Sequence, residues 1–147
     1  MKIVVNKFIP FNGFICINLF GLIFTRRSVD KISPLVMNHE RIHTKQYLEF
    51  TIVFAIIFSL FIISGFLSPL FFITVPIMYY VWYVLECFIR FILQLSNLNV
   101  IKNCKLKTCF YRAYSNILFE QEAYMFEGDL NYIDCRKGFA WLRLIFR

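Results

Sequence analysis

Residues 50–85 read FTIVFAIIFSLFIISGFLSPLFFITVPIMYYVWYVL, and none of these 36 residues is Asp, Glu, Lys, Arg or His. A helix that crosses a bilayer needs about 20 apolar residues, so this run is too long for one crossing and sufficient for two short ones. Gly65 and Pro69 interrupt the run near its middle, where they favour a turn and disfavour continuous helix. The stretch therefore predicts a transmembrane hairpin over residues 48–86, with helices at about 48–64 and 69–86.

Basic side chains flank this apolar run and predict its orientation. Residues 1–49 hold seven Lys or Arg against three acids, residues 86–147 hold nine against six, and the loop around Gly65 holds none. Cytoplasmic segments of membrane proteins carry the excess of Lys and Arg, so we expect both flanks and both termini in the cytoplasm. The expected location is the bacterial inner membrane, where the same bases can contact anionic membrane lipids.

The composition excludes several classes of protein. Hydrophobic residues make up 59% of the 147 residues, whereas a soluble domain is usually about 45–50% apolar, so neither a disordered chain nor an ordinary cytosolic enzyme fits. The length allows one domain. No helix-turn-helix pattern or aromatic-basic RNA motif accompanies the net charge of +7, so we expect no nucleic-acid partner.

The N-terminal segment, residues 1–33, is predicted to be β-rich. Residues 3–5 and 14–17 are β-prone runs, and Pro-Phe-Asn-Gly at 10–13 between them is a strong turn signal, so the sequence favours a β-hairpin. A second strand or its extension can run through residues 22–24. A third membrane segment over residues 8–24 is the alternative.

The only two histidines of the chain stand in the sequence HERIH, at residues 39–43. Residues four apart share one face of a helix, so His39 and His43 can bind one metal ion, with Glu40 beside the open coordination position. Ser33 and Pro34 are suited to the start of this helix, which we expect over residues 34–49, running into the first apolar segment.

A catalytic zinc ion needs three protein ligands and a water, and no third histidine exists, so the third ligand must be a carboxylate. The absence of a third histidine also excludes the metzincin pattern. The candidates beyond the hairpin are Glu120, Glu122, Glu127, Asp129 and Asp134. Glu120 and Glu122 lie two residues apart in an apolar, helix-compatible stretch and would point to different sides of a helix, so they should have different roles.

The motif HERIH followed by Glu120 and Ala123 resembles the gluzincin-like pattern of membrane-embedded peptidases of the CAAX-prenyl-protease and heat-shock membrane protease group. Tyr124 differs from that pattern, which has Asp or Asn there. The chain is also similar to short bacterial membrane proteins that combine N-H-E-x-I-H-x-x-Q, here residues 38–46, with a downstream E-x-E-A-Y, here residues 120–124. The resemblance implies that Glu120 is the third metal ligand, with Glu122 as the alternative.

Together these features predict a mainly α membrane protein that forms one membrane-embedded zincin-like domain over residues 1–147. Its elements are an N-terminal β-hairpin, the HExxH helix, the two-helix transmembrane hairpin and, within a cytoplasmic region at 87–147, C-terminal helices that carry the third ligand. Two crossings return the His pair and Glu120 to the same side of the membrane. One crossing would separate them.

The expected function is zinc-dependent hydrolysis of a peptide bond at the cytoplasmic membrane surface, in a protein or peptide substrate that is itself membrane-bound or soluble. Zinc would be held by His39, His43 and Glu120, and Glu40 would be the catalytic general base. An edge strand of the β-hairpin could hold the substrate by strand addition. The oxyanion donor is left open among four side chains: Tyr111, Arg112, Tyr114 and Tyr124.

Two other functions stay open from the sequence. One is a small membrane interaction or regulatory protein with a structural metal or none. The other is a metal-dependent hydrolase of a lipid-like substrate. Glu40 separates the first of these from a peptidase, because a structural metal site has no use for a carboxylate beside an open position. Glu86 and Arg90 lie four residues apart and can form a simple ion pair on one helix. Alternatively, the Glu86 carboxylate orients a ligand histidine.

Overall fold

The computed structural model describes residues 2–11, 13–96 and 106–146 of the chain. The protein is mainly helical and has one small three-stranded sheet, as the predicted fold class requires. The α-helices, in chain order, are α1 (Pro34–Ile63), α2 (Met78–Ser96), α3 (Leu106–Ser115), α4 (Leu118–Phe126) and α5 (Tyr132–Cys135). The 3₁₀ helices are Val29–Lys31, Pro69–Ile77 and Ala140–Phe146. The strands are β1 (Ile3–Val5), β2 (Cys16–Leu19) and β3 (Leu22–Thr25).

Helix α1 carries both the HERIH motif and the first apolar segment without interruption. The Ser33 side chain accepts the N–H of Val36, and Pro34 occupies the first helical position, where its missing N–H costs nothing. The helix ends at Ile63, and Gly65, which follows the C-cap residue Ser64, has a φ of +79° in the left-handed conformation that glycine adopts most readily. The HERIH motif and the first apolar segment therefore lie on one continuous helix.

The second apolar segment differs from the predicted helix over residues 69–86. It begins at Pro69 as a 3₁₀ helix and becomes α-helical only at Met78. Pro76 explains the difference, because its ring removes a backbone donor and would clash with the carbonyl four residues earlier in an α-helix. The segment also continues to Ser96, since no helix breaker follows Glu86.

The strand pairing predicted for the N-terminal segment is wrong. Strand β3 lies in the centre of the sheet, paired in parallel with β1 and antiparallel with β2. The hairpin is formed by β2 and β3 around Phe20 and Gly21, which have φ of +55° and +75°. Two successive positive φ angles give the tight turn whose twist matches paired strands, and this turn, rather than residues 10–13, sets the register.

The alternative of a third membrane helix over residues 8–24 does not hold for the described residues. This range contains β2 and most of β3, and Asn12 lies outside the residues that the structure describes. The side chain of Asn18 ties the hairpin to α1 by donating to the Glu40 carbonyl at 2.9 Å and to the Thr44 hydroxyl at 2.6 Å. The sheet is thereby held beside the HERIH motif.

Two buried clusters join the helices. Ile42 of α1 and Ala123 of α4 are fully buried against each other and Tyr132. A larger aromatic cluster fills the space between α1, α2, α4 and the last 3₁₀ helix, and its buried members are Tyr47, Phe50, Tyr79, Ile117, Phe119 and Trp141. These clusters place α4 and α2 on the face of α1 that carries the histidines.

Two helical segments, Pro34–Ile63 and Pro69–Ser96, are long and apolar enough to cross a membrane. Only 17% of the most apolar window of each is buried inside the protein. Many large apolar side chains are therefore left uncovered, among them Ile56, Leu60, Ile63, Leu70 and Ile73.

The turn at Phe20 and Gly21 provides a test of the fold. Replacing Gly21 with Ala should destabilise the protein by about 1 kcal/mol, because an L side chain is strained at positive φ. The matched control is Gly128→Ala, where φ is not positive and an added Cβ meets no atom within 4 Å. Unfolding in detergent micelles, followed by circular dichroism, measures both. Equal stabilities of the two variants would contradict the turn geometry.

Candidate metal centre

The two histidines lie on one face of α1 and meet a carboxylate from α4. The Nε2 atoms of His39 and His43 are 3.0 Å apart. Glu120 approaches them with Oε2 at 3.4 Å from His39 Nε2 and Oε1 at 3.3 Å from His43 Nε2. The candidate ligand atoms of these three residues lie within 4.8 Å of one another, and the side chain of Glu120 is only 1% exposed.

Hydrogen bonds on the far side of each imidazole ring decide where its proton lies. His39 Nδ1 is 2.8 Å from Oε2 of Glu127, and His43 Nδ1 is 2.8 Å from Oε1 of Gln46. The Gln46 amide cannot be reversed, because its Nε2 donates to the Phe119 carbonyl and to Glu122. Both partners are therefore acceptors, so each Nδ1 carries a proton, and in the neutral ring each Nε2 presents a lone pair.

Three groups of lone pairs therefore converge with no donor between them. Such a cluster must hold a cation, either a proton or a metal ion, because otherwise the buried acceptors repel each other. Around a tetrahedral zinc ion with bonds of about 2.0–2.1 Å, neighbouring ligand atoms lie about 3.3 Å apart. The separations of 3.0 Å between the two Nε2 atoms and 3.4 Å between His39 Nε2 and Glu120 Oε2 are close to this value. Two imidazoles and one carboxylate also form a donor set that zinc accepts.

The two oxygens of Glu120 have different surroundings. Oε1 accepts the hydroxyl protons of Tyr83 and Tyr114, the latter at 2.6 Å, whereas Oε2 is buried without a hydrogen-bond partner among the described residues. Buried polar atoms normally have a hydrogen-bond partner, so the free Oε2 is the oxygen that could bind a metal ion. The tyrosines would hold the other oxygen.

Burial and the neighbouring histidines shift the pKa of Glu120 in opposite directions. Burial alone would raise the pKa of its carboxyl, but His43 and His39 outweigh burial and hold that pKa below its ordinary value. Burial, followed by the charge of Glu120, raises the pKa of the Tyr114 hydroxyl above its ordinary value. Glu120 is thus an anion and Tyr114 a protonated donor over the physiological pH range.

Glu122, the alternative third ligand, points away from the histidine pair. Its carboxylate accepts hydrogen bonds from Tyr132 at 2.8 Å, from Gln46 at 2.9 Å and from Arg136 at 2.6 and 3.2 Å. All of its bonding capacity is used there. The other acidic candidates also lie outside the cluster: Glu127 binds the far side of His39, and Asp129 and Asp134 are exposed.

A cavity of about 250 Å³ opens beside the histidine pair. Glu40, His43, Glu120 and the residues of β2 are among those that line it. Among the four candidate oxyanion donors, only Tyr114 lines this cavity. Tyr111 and Arg112 are exposed, and the Tyr124 ring contacts His39 with its centroid 4.9 Å from the imidazole centroid.

Glu86 and Arg90, four residues apart on α2, form an ion pair in which Arg90 Nη2 lies 2.7 Å from Glu86 Oε1. Glu86 does not orient a ligand histidine, since both Nδ1 atoms have other partners. It accepts a hydrogen bond, at 2.9 Å, from the backbone N–H of Leu118, the first residue of α4. Glu86 therefore ties the start of the Glu120 helix to α2.

Sequence reasoning missed several residues that support the site: Asn38, Gln46, Tyr83 and Arg136. Asn38 donates to the carbonyls of Phe126, Glu127 and Asp129 and thereby holds the end of α4 on α1. Asn38 and Gln46 could have been found, because they lie four residues on either side of Ile42 on one helical face. Tyr83 and Arg136 offer no local signal.

No family model, curated protein or solved structure matches the chain. The function must therefore be argued from the geometry of this site.

The assignment of the third ligand can be tested by zinc stoichiometry. Glu120→Gln should lose the metal, because an amide gives zinc a much weaker ligand than a carboxylate, and Glu122→Gln should still hold about one zinc per chain at saturating zinc. Wild type and the double variant His39→Ala, His43→Ala give the upper and lower references in plasma emission spectrometry. Zinc retained by Glu120→Gln and lost by Glu122→Gln would reverse the assignment.

Proposed function

We propose that this protein is a gluzincin-like zinc metallopeptidase of the inner membrane, which hydrolyses a peptide bond at the cytoplasmic boundary of the bilayer. The observation that carries the proposal is the convergence of the ligand atoms of His39, His43 and Glu120, of which His43 and Glu120 line a cavity together with Glu40. A structural metal site would have no need of that cavity or of Glu40. The alternative of a non-catalytic membrane interaction protein is therefore less well supported.

The chemistry follows from the residues that line the cavity. A zinc ion held by the three ligands would lower the pKa of water to about 7 and polarise the substrate carbonyl. Glu40 would accept the proton of the attacking water and deliver it to the leaving amine. Tyr114, the candidate oxyanion donor in the cavity wall, would turn its hydroxyl proton from Glu120 Oε1 to the developing oxyanion, while Tyr83 would keep its hydrogen bond to that oxygen.

Strand β2 supports a peptide as the substrate. The two-residue loop makes Leu19 and Leu22 a hydrogen-bonded pair, and alternation along an antiparallel ladder makes Ile17 and Phe24 the next one. The backbone groups of Cys16 and Asn18 therefore point away from β3. An extended substrate could pair with this outer edge, which would place its backbone in the cavity opposite Glu40.

The lengths of the apolar segments support the proposed depth of the site. Twenty residues of α-helix span about 30 Å, the thickness of the hydrocarbon core, and counting back from Ile63 leads to Thr44, directly after His43. In the second segment, nine 3₁₀ residues from Pro69 and the α-helical residues up to Glu86 also extend about 30 Å. Both crossings then end at the level of the histidine pair.

Two charged side chains, Lys45 and Glu49, lie in the part of α1 that would be inside the membrane, and each can be accommodated there. Lys45 is exposed and can extend its ammonium group to the membrane surface. Glu49 is paired with Arg136 inside the protein. A carboxylate without such a partner would be costly at this depth.

Glu40 provides the sharpest test of catalysis. Glu40→Gln should keep the zinc content of wild type and lose peptide hydrolysis by a factor of at least about 10², because it removes the proton carrier and no ligand. The zinc-loaded proteins are incubated in lipid nanodiscs with a peptide mixture from a proteome digest, and new N-termini are identified by mass spectrometry. The proposal fails if wild type generates no more new termini than Glu40→Gln.

Topology is tested with single-cysteine variants. Phe66→Cys, in the exposed loop between the apolar segments, should react with a membrane-impermeant maleimide in intact spheroplasts. The matched control keeps only the native, exposed Cys135, which should react after permeabilisation and not before. Protection of Phe66→Cys in spheroplasts would contradict a hairpin that crosses the membrane twice.

A further inference from the structure

The guanidinium of Arg136 lies at the centre of a second buried polar cluster, next to the metal centre. Its side chain is only 3% exposed. Nε and Nη2 donate to the two oxygens of Glu122, at 2.6 and 3.2 Å, and Nη1 and Nη2 donate to the two oxygens of Glu49. Trp141 donates to Glu49 at 3.2 Å. One cation is thus shared by two carboxylates, one from each of the helices that carry metal ligands.

A continuous chain of hydrogen bonds leads from this cluster to His43. Glu122 Oε2 accepts from Gln46 Nε2 at 2.9 Å, and Gln46 Oε1 lies 2.8 Å from His43 Nδ1. Glu122 and the Phe119 carbonyl, which also accepts from Gln46 Nε2 at 3.0 Å, together fix which end of the Gln46 amide faces the histidine, and thereby the proton on His43 Nδ1.

We propose that Arg136 is a positioning residue for the metal centre, acting on His43 through Glu122 and Gln46 and on the distance between α1 and α4 through Glu49. The inference rests on the proposed metal centre, and it concerns how that centre is held rather than what it hydrolyses. Arg136 touches neither metal ligand nor cavity wall near Glu40. Its effect would pass entirely through the residues that it holds.

The choice of arginine follows from the geometry. A planar guanidinium can bind two carboxylates with two donors each, whereas a lysine ammonium is a point charge without this fixed fork. Without the guanidinium, Glu49 and Glu122 would face each other as unpaired buried anions. Glu122 would then turn away, and the Gln46 amide would lose one of the two acceptors that orient it, keeping only the Phe119 carbonyl.

The first measurement is zinc affinity by chelator competition, with the full-length protein in nanodiscs. Arg136→Met should bind zinc about 10- to 100-fold more weakly than wild type, the usual effect of removing an outer-shell partner. Arg136→Lys should recover part of this loss. The control is Arg143→Met, which removes an exposed base from the same segment and should leave the affinity unchanged.

The second measurement follows the chain of hydrogen bonds from Glu122 through Gln46 to His43, which we call the relay, and it needs no metal. The chain has two histidines, so ¹⁵N-histidine labelling gives a simple spectrum, which His39→Gln assigns. In metal-free wild type, at a pH where both rings are neutral, His43 should carry its proton on Nδ1. Arg136→Met and Gln46→Leu should both show a mixture of tautomers, because each breaks the chain at a different link.

These outcomes separate the two proposals. A wild type that binds no zinc but shows the Nδ1 tautomer, lost in both variants, would refute the metal centre and support the relay. Wild-type affinity and a single tautomer in Arg136→Met would overturn the positioning role. If Arg136→Met does not fold, Gln46→Leu decides, because it leaves Arg136 bound to both carboxylates. An unchanged tautomer in Gln46→Leu would then overturn the inference.

Discussion

The close packing of α4 on α1 is the constraint on which the rest of the structure depends. Ile42 and Ala123 are fully buried at this contact, and the small Ala123 side chain allows the helices to approach until Glu120 reaches both histidines. Polar side chains of α1 fasten the two ends of the contact. Asn38 holds the carbonyls at the end of α4, and Gln46 holds the Phe119 carbonyl near its start. A side chain larger than alanine at the centre would separate the ligands.

The same contact explains how so apolar a chain accommodates several buried acids. Glu120 lies against two imidazoles and two phenols, while Glu49 and Glu122 share Arg136. Each carboxylate is thus matched by donors from a different helix, as buried charges require. The two clusters are linked through Gln46 and His43, so the candidate metal centre and the ion cluster belong to one hydrogen-bonded network.

Local sequence patterns predicted some parts of this protein well and others poorly. The spacing of His39 and His43 and the apolar run after Glu49 are properties of one helix, so their common face and the length of the apolar segments could be inferred directly. The β-strands could be predicted but their pairing could not, because a Phe-Gly turn at residues 20–21 lacks the usual Asn-Gly signal. Arg136 contacts Glu49, which is 87 residues away in the sequence, and no local sequence pattern near either residue predicts that ion pair. The stronger turn signal at residues 10–13 was misleading because register is decided by the strands that pair.

The position of Arg136 along the chain has a consequence for biosynthesis. The ribosome completes the histidine pair and Glu49 before either apolar segment exists, and it supplies Glu120, Glu122 and finally Arg136 after both. A nascent chain that inserts into a membrane would therefore carry only part of the candidate metal centre and part of the ion cluster, and neither could be completed until the last segment folds back onto α1. Completion of the candidate site is consequently expected late, after Arg136 has been synthesised.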